Sequence, residues 1–169
     1  CRVFKRTFGW WPSIRHPRSF NEWLFMRKVT LPRRTSFAPW VDKHLVKQFV
    51  ADEMRGSTAE CRVAKTLHHA TRADDPFFDT IVPRCVIKGT HGSGMTILVQ
   101  SPRTLTADEK AALKLWMDTD YFTGSREPGY RHLKPAIIAE EFLPSGSLVP
   151  EDYKFFCFRG QVAFIQHDT

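Results

Sequence analysis

The chain contains no C-x-x-C pair. Its four cysteines, Cys1, Cys61, Cys85 and Cys157, share no zinc-ligand spacing with histidine. Free thiols in a reducing compartment are the plain reading. No apolar run is long enough to cross a bilayer. No basic-then-apolar start with a small-residue cleavage site marks a secretory leader. Internal repeats and low-complexity tracts are missing as well. The two common phosphate-loop signatures are also absent: there is no G-x-x-x-x-G-K-[ST], and the one glycine-rich loop is not followed by a helical pattern. No legible Ser/His/Asp or Cys/His arrangement suggests nucleophilic catalysis.

Large side chains are plentiful. Fourteen Phe and five Trp in 169 residues supply enough bulk for one domain with its own core, or for two small lobes sharing a cleft. The first residue is Cys1 and not Met, so the chain is expected to start inside a longer product or to be processed. The net charge is +7, concentrated at the start in Arg2, Lys5, Arg6, Arg15, Arg18, Arg27, Lys28, Arg33 and Arg34. A surface of that sign attracts polyanions such as nucleotides, phosphorylated sugars or an anionic membrane leaflet. It is equally readable as a solvated basic face. No nucleic-acid motif accompanies the charge, so nucleic acid is not expected as a partner.

Residues 1–19, with Trp10, Trp11, Pro12 and Pro17, read as an irregular arm packed by aromatics. A short helix is predicted from Ser19 or Asn21 to about Val29, then a loop from Leu31 to Pro39. Asp42 is a good N-cap for a helix carrying Leu45, Val46, Phe49, Val50 and Met54 at helical spacing and ended by Gly56. Cys61–Leu67 is a candidate strand, and His68–Thr80 reads as a polar, turn-rich stretch with His68 and His69 solvated. Arg84–Lys88 and Met95–Gln100 read as strands around the loop Gly89–Gly94. Thr106-Ala-Asp-Glu109 is a capping box that opens a helix to about Thr119. Residues 121–134 look like loop, and Pro135–Phe142 is apolar until Glu140-Glu141. Tyr153–Phe158 and Gln161–Gln166 form a hairpin about Arg159-Gly160. The sum is an α+β chain with mostly antiparallel strands and flanking helices.

Four places could carry chemistry. In Gly89-Thr-His-Gly-Ser-Gly94 the missing Cβ atoms let backbone amides approach phosphate oxygens, and Lys88 enters the loop with a cation. His91 could donate to a phosphate or brace the loop. Lys43 lies just after a helix cap, where a cation needs a partner or solvent. Glu140 and Glu141 end a strand and must point to opposite faces. Asp152 and Lys154 share one strand face with Phe156 and Phe158, an unusual place for a lysine without a partner or ligand.

The order Phe20-Asn21-Glu22, Asp42-Lys43, Val86-Ile-Lys-Gly-Thr-His-Gly-Ser-Gly94, Lys134-Pro-Ala-Ile-Ile-Ala-Glu-Glu-Phe-Leu143 and Asp152-Tyr-Lys-Phe-Phe-Cys-Phe-Arg-Gly160 resembles the TupA-like ATP-grasp proteins. These are associated with teichuronopeptide and other bacterial surface-polysaccharide biosynthesis. The resemblance runs from about Pro17 to Asp168 and implies an ATP-grasp fold, incomplete at the C-terminus. It implies an N-terminal basic and aromatic arm with a helix over 1–41, a small lobe with the glycine loop over 42–139, and a hinge with the start of a second lobe over 140–169.

By the same resemblance, Lys43 and Lys88 reach the ATP phosphates, and His91, Gly92, Ser93 and Gly94 form the covering loop. Glu140, Glu141, Phe142 and Leu143 form the interlobe hinge that reads adenine, and Asp152 takes the ribose hydroxyls. Lys154 then points at phosphate or substrate. Met95 departs from relatives that extend the glycine loop, and is expected to stiffen or shield the lid. The family's Mg²⁺-binding acidic block is expected beyond Thr169. No metal ligand is assigned within the chain, and Asp168 is the only late acid.

The function implied is the ATP-binding portion of a carboxylate–amine ligase working through an acyl phosphate. It would act on an anionic saccharide precursor in the bacterial cytoplasm or at the inner face of the membrane, with little turnover by this segment alone. Specificity is assigned to residues 121–134, with Arg126, Tyr130 and Arg131 as candidates. Two alternatives stand beside it: a glycosyltransferase or sugar kinase of the same pathways, and a non-catalytic basic module that binds anionic glycan or lipid.

Overall fold

The computed structural model describes residues 1–31, 37–58, 61–143 and 151–168. Helices come first: α1 (Arg2–Phe8), α2 (Phe20–Thr30), α3 (Ala38–Val41) and α4 (Leu45–Glu53). Then follow β1 (Thr66–Ala70), β2 (Cys85–Gly89), β3 (Thr96–Val99), α5 (Ala107–Met117), α6 (Tyr121–Ser125), β4 (Ile137–Glu141), β5 (Asp152–Phe158) and β6 (Gln161–Asp168). Single 3-10 turns occupy Pro76–Asp79 and Pro128–Tyr130.

The first four strands form one antiparallel sheet in the order β1-β4-β2-β3. β4 is central, and Ile137 to Glu140 are buried along its length. A strand buried on both faces should read as a continuous apolar run, and Pro135–Ala139 does so. On one face Cys85, Ile87, Val99, Ile137 and Ala139 meet Leu113 and Trp116 of α5, with Phe78, Val82 and Leu105 closing the core. The opposite face carries Val86 and Lys88 of β2 beside Ile138 and Glu140 of β4. Val86 pairs with Glu140 and Lys88 with Ile138. On this second face β4 also meets β1, with Thr66 opposite Glu140 and His69 opposite Ile138.

The two capping boxes form as the sequence predicts. Ser19 Oγ accepts from the Glu22 amide at 3.2 Å, and Thr106 Oγ1 accepts from the Glu109 amide at 3.2 Å. Glu109 goes further than a cap, because Arg103 grips both its oxygens at 2.6 and 2.7 Å. The Arg103 hydrogen bonds, helped by the Thr106 amide and opposed by burial, hold the Glu109 carboxyl at about 2 against an ordinary 4.5. A depressed carboxyl stabilises the fold above its unfolded value of 4.5 and loses that contribution as pH falls toward about 2. Glu109→Gln is therefore expected to lower stability at neutral pH by about 1–2 kcal/mol, allowing for solvent screening. Urea unfolding as a function of pH should show the difference between the two proteins closing below 4.5; a difference that persists unchanged into acid would contradict the assignment.

Several local expectations are corrected. Part of the arm at 1–19 is helical: α1 buries Phe4 against Phe8, Trp10 and Phe25. A single buried side chain leaves no helical stripe to read. The loop expected over Leu31–Pro39 overlaps α3, which accepts Pro39 in its first turn, where a missing N–H costs nothing; residues 32–36 lie outside the described residues. The strand expected at Cys61–Leu67 starts at Thr66 and takes in both histidines. His68 stacks on Phe77 at 4.3 Å and bonds Asp75 at 2.9 Å, while His69 stacks on His44 at 4.2 Å. His68 is half-buried by these contacts, while His69 remains exposed as expected. Residues 121–134 contain α6 and a 3-10 turn.

The hairpin is as predicted, with Arg159 (φ 52°) and Gly160 (φ 79°) both left-handed at the turn. Its strands pair only with each other, as a separate two-stranded sheet. Among the described residues no helix is long and apolar enough to cross a membrane.

Candidate nucleotide site

Asp42 begins the site. Its Oδ1 accepts from the amides of His44 (2.8 Å) and Leu45 (3.0 Å), so it caps the turn leading into α4. Capping fixes Lys43 within that turn, and two bonds tie Lys43 to the glycine loop. Its amide donates to Thr90 O at 3.2 Å. Its ammonium donates to Gly89 O at 2.9 Å and also to Gly92 O. Burial, and next the charge of Lys88, push the Lys43 ammonium below the ordinary lysine value; Asp42 and Glu140 oppose this.

Lys88 leaves β2 on the same sheet face as Glu140, one diagonal step across the ladder. Its ammonium lies 2.6 Å from Glu140 Oε2. Lys47, from the first turn of α4, lies 2.6 Å from the other oxygen, Oε1, and also donates to Ala64 O. Glu140 is only 4% exposed. Burial raises its pKa, but the Lys47 and Lys88 hydrogen bonds outweigh that and bring it below the ordinary glutamate value. Three ammonium groups thus gather around two carboxylates, Glu140 and Asp42, leaving one positive charge over.

The loop itself is braced from below. Gly89 donates to Met95 O at 3.1 Å, closing the β2–β3 connection. The Met95 side chain fills the space under the loop: a Cβ on Gly89 would lie 2.7 Å from Met95 Sδ, and one on Gly92 2.9 Å from Met95 Cε. Glycine is needed at these two points for close approach. At Gly94 it is needed for the left-handed turn, φ 75°. His91 is turned inward. Its Nε2 donates to Trp116 O at 2.9 Å, and its Nδ1 accepts from the Ala136 amide at 3.4 Å. With both ring nitrogens committed, His91 is the loop brace and is not aimed at a phosphate. The Thr90 hydroxyl is buried beside it with no partner among the described residues. Ser93 and Gly94 are exposed at the tip.

Beyond Glu140, Glu141 turns to the other side. Its Oε1 accepts from the Lys65 amide at 2.7 Å, and its own amide donates to Lys65 O. Phe142 lies under the Arg84 guanidinium at 4.3 Å, and Leu143 is exposed. Asp152 and Lys154 meet on one face of the hairpin as expected, with 2.5 Å between them. Lys154 also bonds Asp168 across the ladder. Asp152 first and Asp168 second raise the Lys154 pKa. Lys154 is therefore satisfied within its own hairpin.

Lys47 is the participant that sequence reasoning missed. Its place in the first turn of α4, four residues after Lys43 in the capping turn, was the available signal.

The TupA-like ATPgrasp family model matches residues 22–169. The chain belongs to the TupA-like ATP-grasp family. No curated protein and no solved structure matches it. Membership bears out the α+β ATP-grasp fold expected from the five sequence blocks. ATP-grasp proteins generally bind ATP and Mg²⁺, and the two fit this chain differently. A polyphosphate suits the surplus positive charge and the glycine loop. For Mg²⁺, no three His, Cys, Asp or Glu side chains converge as a metal site among the described residues. Asp152 and Asp168 flank an ammonium, which disfavours a second cation between them.

Proposed function

We propose that this chain is the ATP-binding portion of an ATP-grasp carboxylate–amine ligase that acts on an anionic saccharide precursor of the bacterial cell surface. The observation that supports the ATP assignment is the lysine cluster beside the glycine loop: Lys43 holds the loop carbonyls, and Lys47 and Lys88 share Glu140. Phosphoryl transfer asks little covalent chemistry of a protein. It asks for position and for positive charge where negative charge develops. Lys43 and Lys88 supply that charge, and the amides of Gly92 to Gly94 would cover the phosphates. In the reaction a substrate carboxylate oxygen attacks the γ-phosphorus and ADP leaves. The amine then attacks the acyl carbon, loses a proton, and inorganic phosphate leaves.

In this reading the small lobe runs from 42 to 139. The hinge that meets adenine starts at Glu140, through the backbone of Phe142 and Leu143, and Asp152 opens the second lobe. The saccharide pathway and a cytoplasmic location, at or near the membrane, rest on the family association. Arg126, Tyr130 and Arg131 remain the candidates for substrate selection.

Calorimetric titration of the chain with ATP and Mg²⁺ tests the reading. The wild-type chain should bind, and Lys88→Met should bind about tenfold more weakly, the worth of one charge-assisted hydrogen bond partly exposed to solvent. Equal affinity in the two proteins would remove ATP from beneath the glycine loop.

A further inference from the structure

We propose that the N-terminal two-helix unit, residues 1–31, docks on an anionic lipid bilayer. The inference is independent of the nucleotide cluster, which lies at residues 42–94 and 140. Residues 1–31 hold seven lysines and arginines and a single acid, Glu22. That acid is withdrawn from the surface. It is 5% exposed, and its oxygens accept the amides of Ser13 (2.9 Å), Arg18 (2.7 Å) and Ser19 (3.2 Å). These bonds hold the turn between α1 and α2, and Phe4 fills the space between the helices against Phe8, Trp10 and Phe25. The unit is thus built, and its outer surface is cationic.

The same surface is unusually apolar. Phe20 is 69% exposed, Trp11 56% and Trp23 54%, and Val3, Ile14 and Val29 are exposed as well. On α2, Phe20, Trp23, Leu24 and Arg27 line one shallow groove, so apolar and cationic groups share a helix face. Near Trp11, Lys5 lies 4.9 Å from the ring centroid. Large side chains of this kind are seldom left in water together on a folded unit that could have buried them.

Charge alone would suit any polyanion. The exposed Val3, Ile14 and Val29 decide between them, because a hydrated glycan or nucleic acid offers nothing for aliphatic groups to enter. A bilayer interface offers both layers: anionic headgroups for Lys and Arg, and the acyl boundary for Phe and Val, with Trp at the level between. Lipid attraction for each such cation is worth about a fivefold gain in partitioning.

The test is co-sedimentation of the full chain with vesicles of phosphatidylcholine alone and of phosphatidylcholine mixed with phosphatidylglycerol, with tryptophan emission recorded in parallel. Binding is expected to the mixed vesicles only, with a blue shift and a steep loss in salt. Substituting Arg2, Lys5 and Arg6 together by glutamine should weaken binding about 100-fold. Phe20→Ser with Trp23→Ser, both on exposed positions, should weaken it about tenfold or more while leaving the melting temperature and ATP binding unchanged. No sedimentation with the mixed vesicles overturns the proposal. So does serine-variant binding equal to wild type, which would mean a purely electrostatic surface. Tighter binding to soluble poly-glutamate than to vesicles would assign the surface to an acidic protein partner and likewise overturn it.

Discussion

Replacing Glu140 by glutamine is expected to lower the melting temperature by roughly 10 °C, from a stability loss of about 3 kcal/mol. The carboxylate is nearly fully buried and stands 2.6 Å from both Lys47 and Lys88. Breaking such a cluster on one side strands charge where water reaches it only in part, and that penalty exceeds the worth of the pair itself. The isosteric amide keeps the shape and removes only the charge, so packing is not the cause of the loss. Adding Lys47→Met, which removes one stranded ammonium, should recover part of it.

The effect also has a pH signature. Glu140 titrates below its ordinary value in the fold, so its contribution is present above 4.5 and disappears as pH falls through the depressed value. Wild type and Glu140→Gln should therefore converge in acid. Thermal melts across that range decide it, and a variant that melts with wild type at neutral pH would mean that the cluster contributes nothing.

Lys43→Met should weaken ATP binding about 100-fold, more than Lys88→Met, because Lys43 has two tasks. In the proposed reading it brings charge to the phosphates, and in the fold it pins the carbonyls of Gly89 and Gly92. Removing it takes away a contact and also frees the loop that makes the others. Amide hydrogen exchange at residues 90–94 should rise in the unliganded variant, a change that mere loss of a phosphate contact would not produce. Lys47→Met is the control: its ammonium is spent on Glu140 and Ala64 O, so ATP affinity should fall only slightly. If Lys47→Met and Lys43→Met weaken ATP equally, the cluster acts only through overall charge.

Local chemistry was readable in the sequence where one short segment settles it. Thr106 and Glu109 cap each other across three residues, and Arg159-Gly160 turns a hairpin between two strands that pair with each other. The order of the five blocks from Phe20 to Gly160 sufficed for the family. The Lys47–Glu140–Lys88 contact was not readable, because it depends on β4 entering the sheet beside β2 at a register that puts Val86 opposite Glu140. Glu140 was expected only at the hinge, and its counter-ion role follows from burial that spacing does not disclose. His68 and His69 looked like loop residues because their partners, Phe77 and His44, are reached only after folding, whereas the exposure expected of His69 holds. The pairing of Asp152 with Lys154 was legible from strand alternation, whereas the cross-strand bond of Lys154 to Asp168 was not.

β4 lies between β1 and β2, although it is the last of the four strands in the chain. Ala70 faces Ile137 and Cys85 faces Glu141, so two long stretches of polypeptide must close before the sheet exists. Closures of that span are slow, and they leave earlier segments waiting. During synthesis on the ribosome, Lys43, Lys47 and Lys88 are all made before Glu140. The nascent lobe therefore carries its three ammonium groups with only Asp42 to oppose them, and self-repulsion opposes compaction until β4 arrives. One strand then fills the core and supplies the second carboxylate together, so a half-folded lobe able to hold ATP should not accumulate.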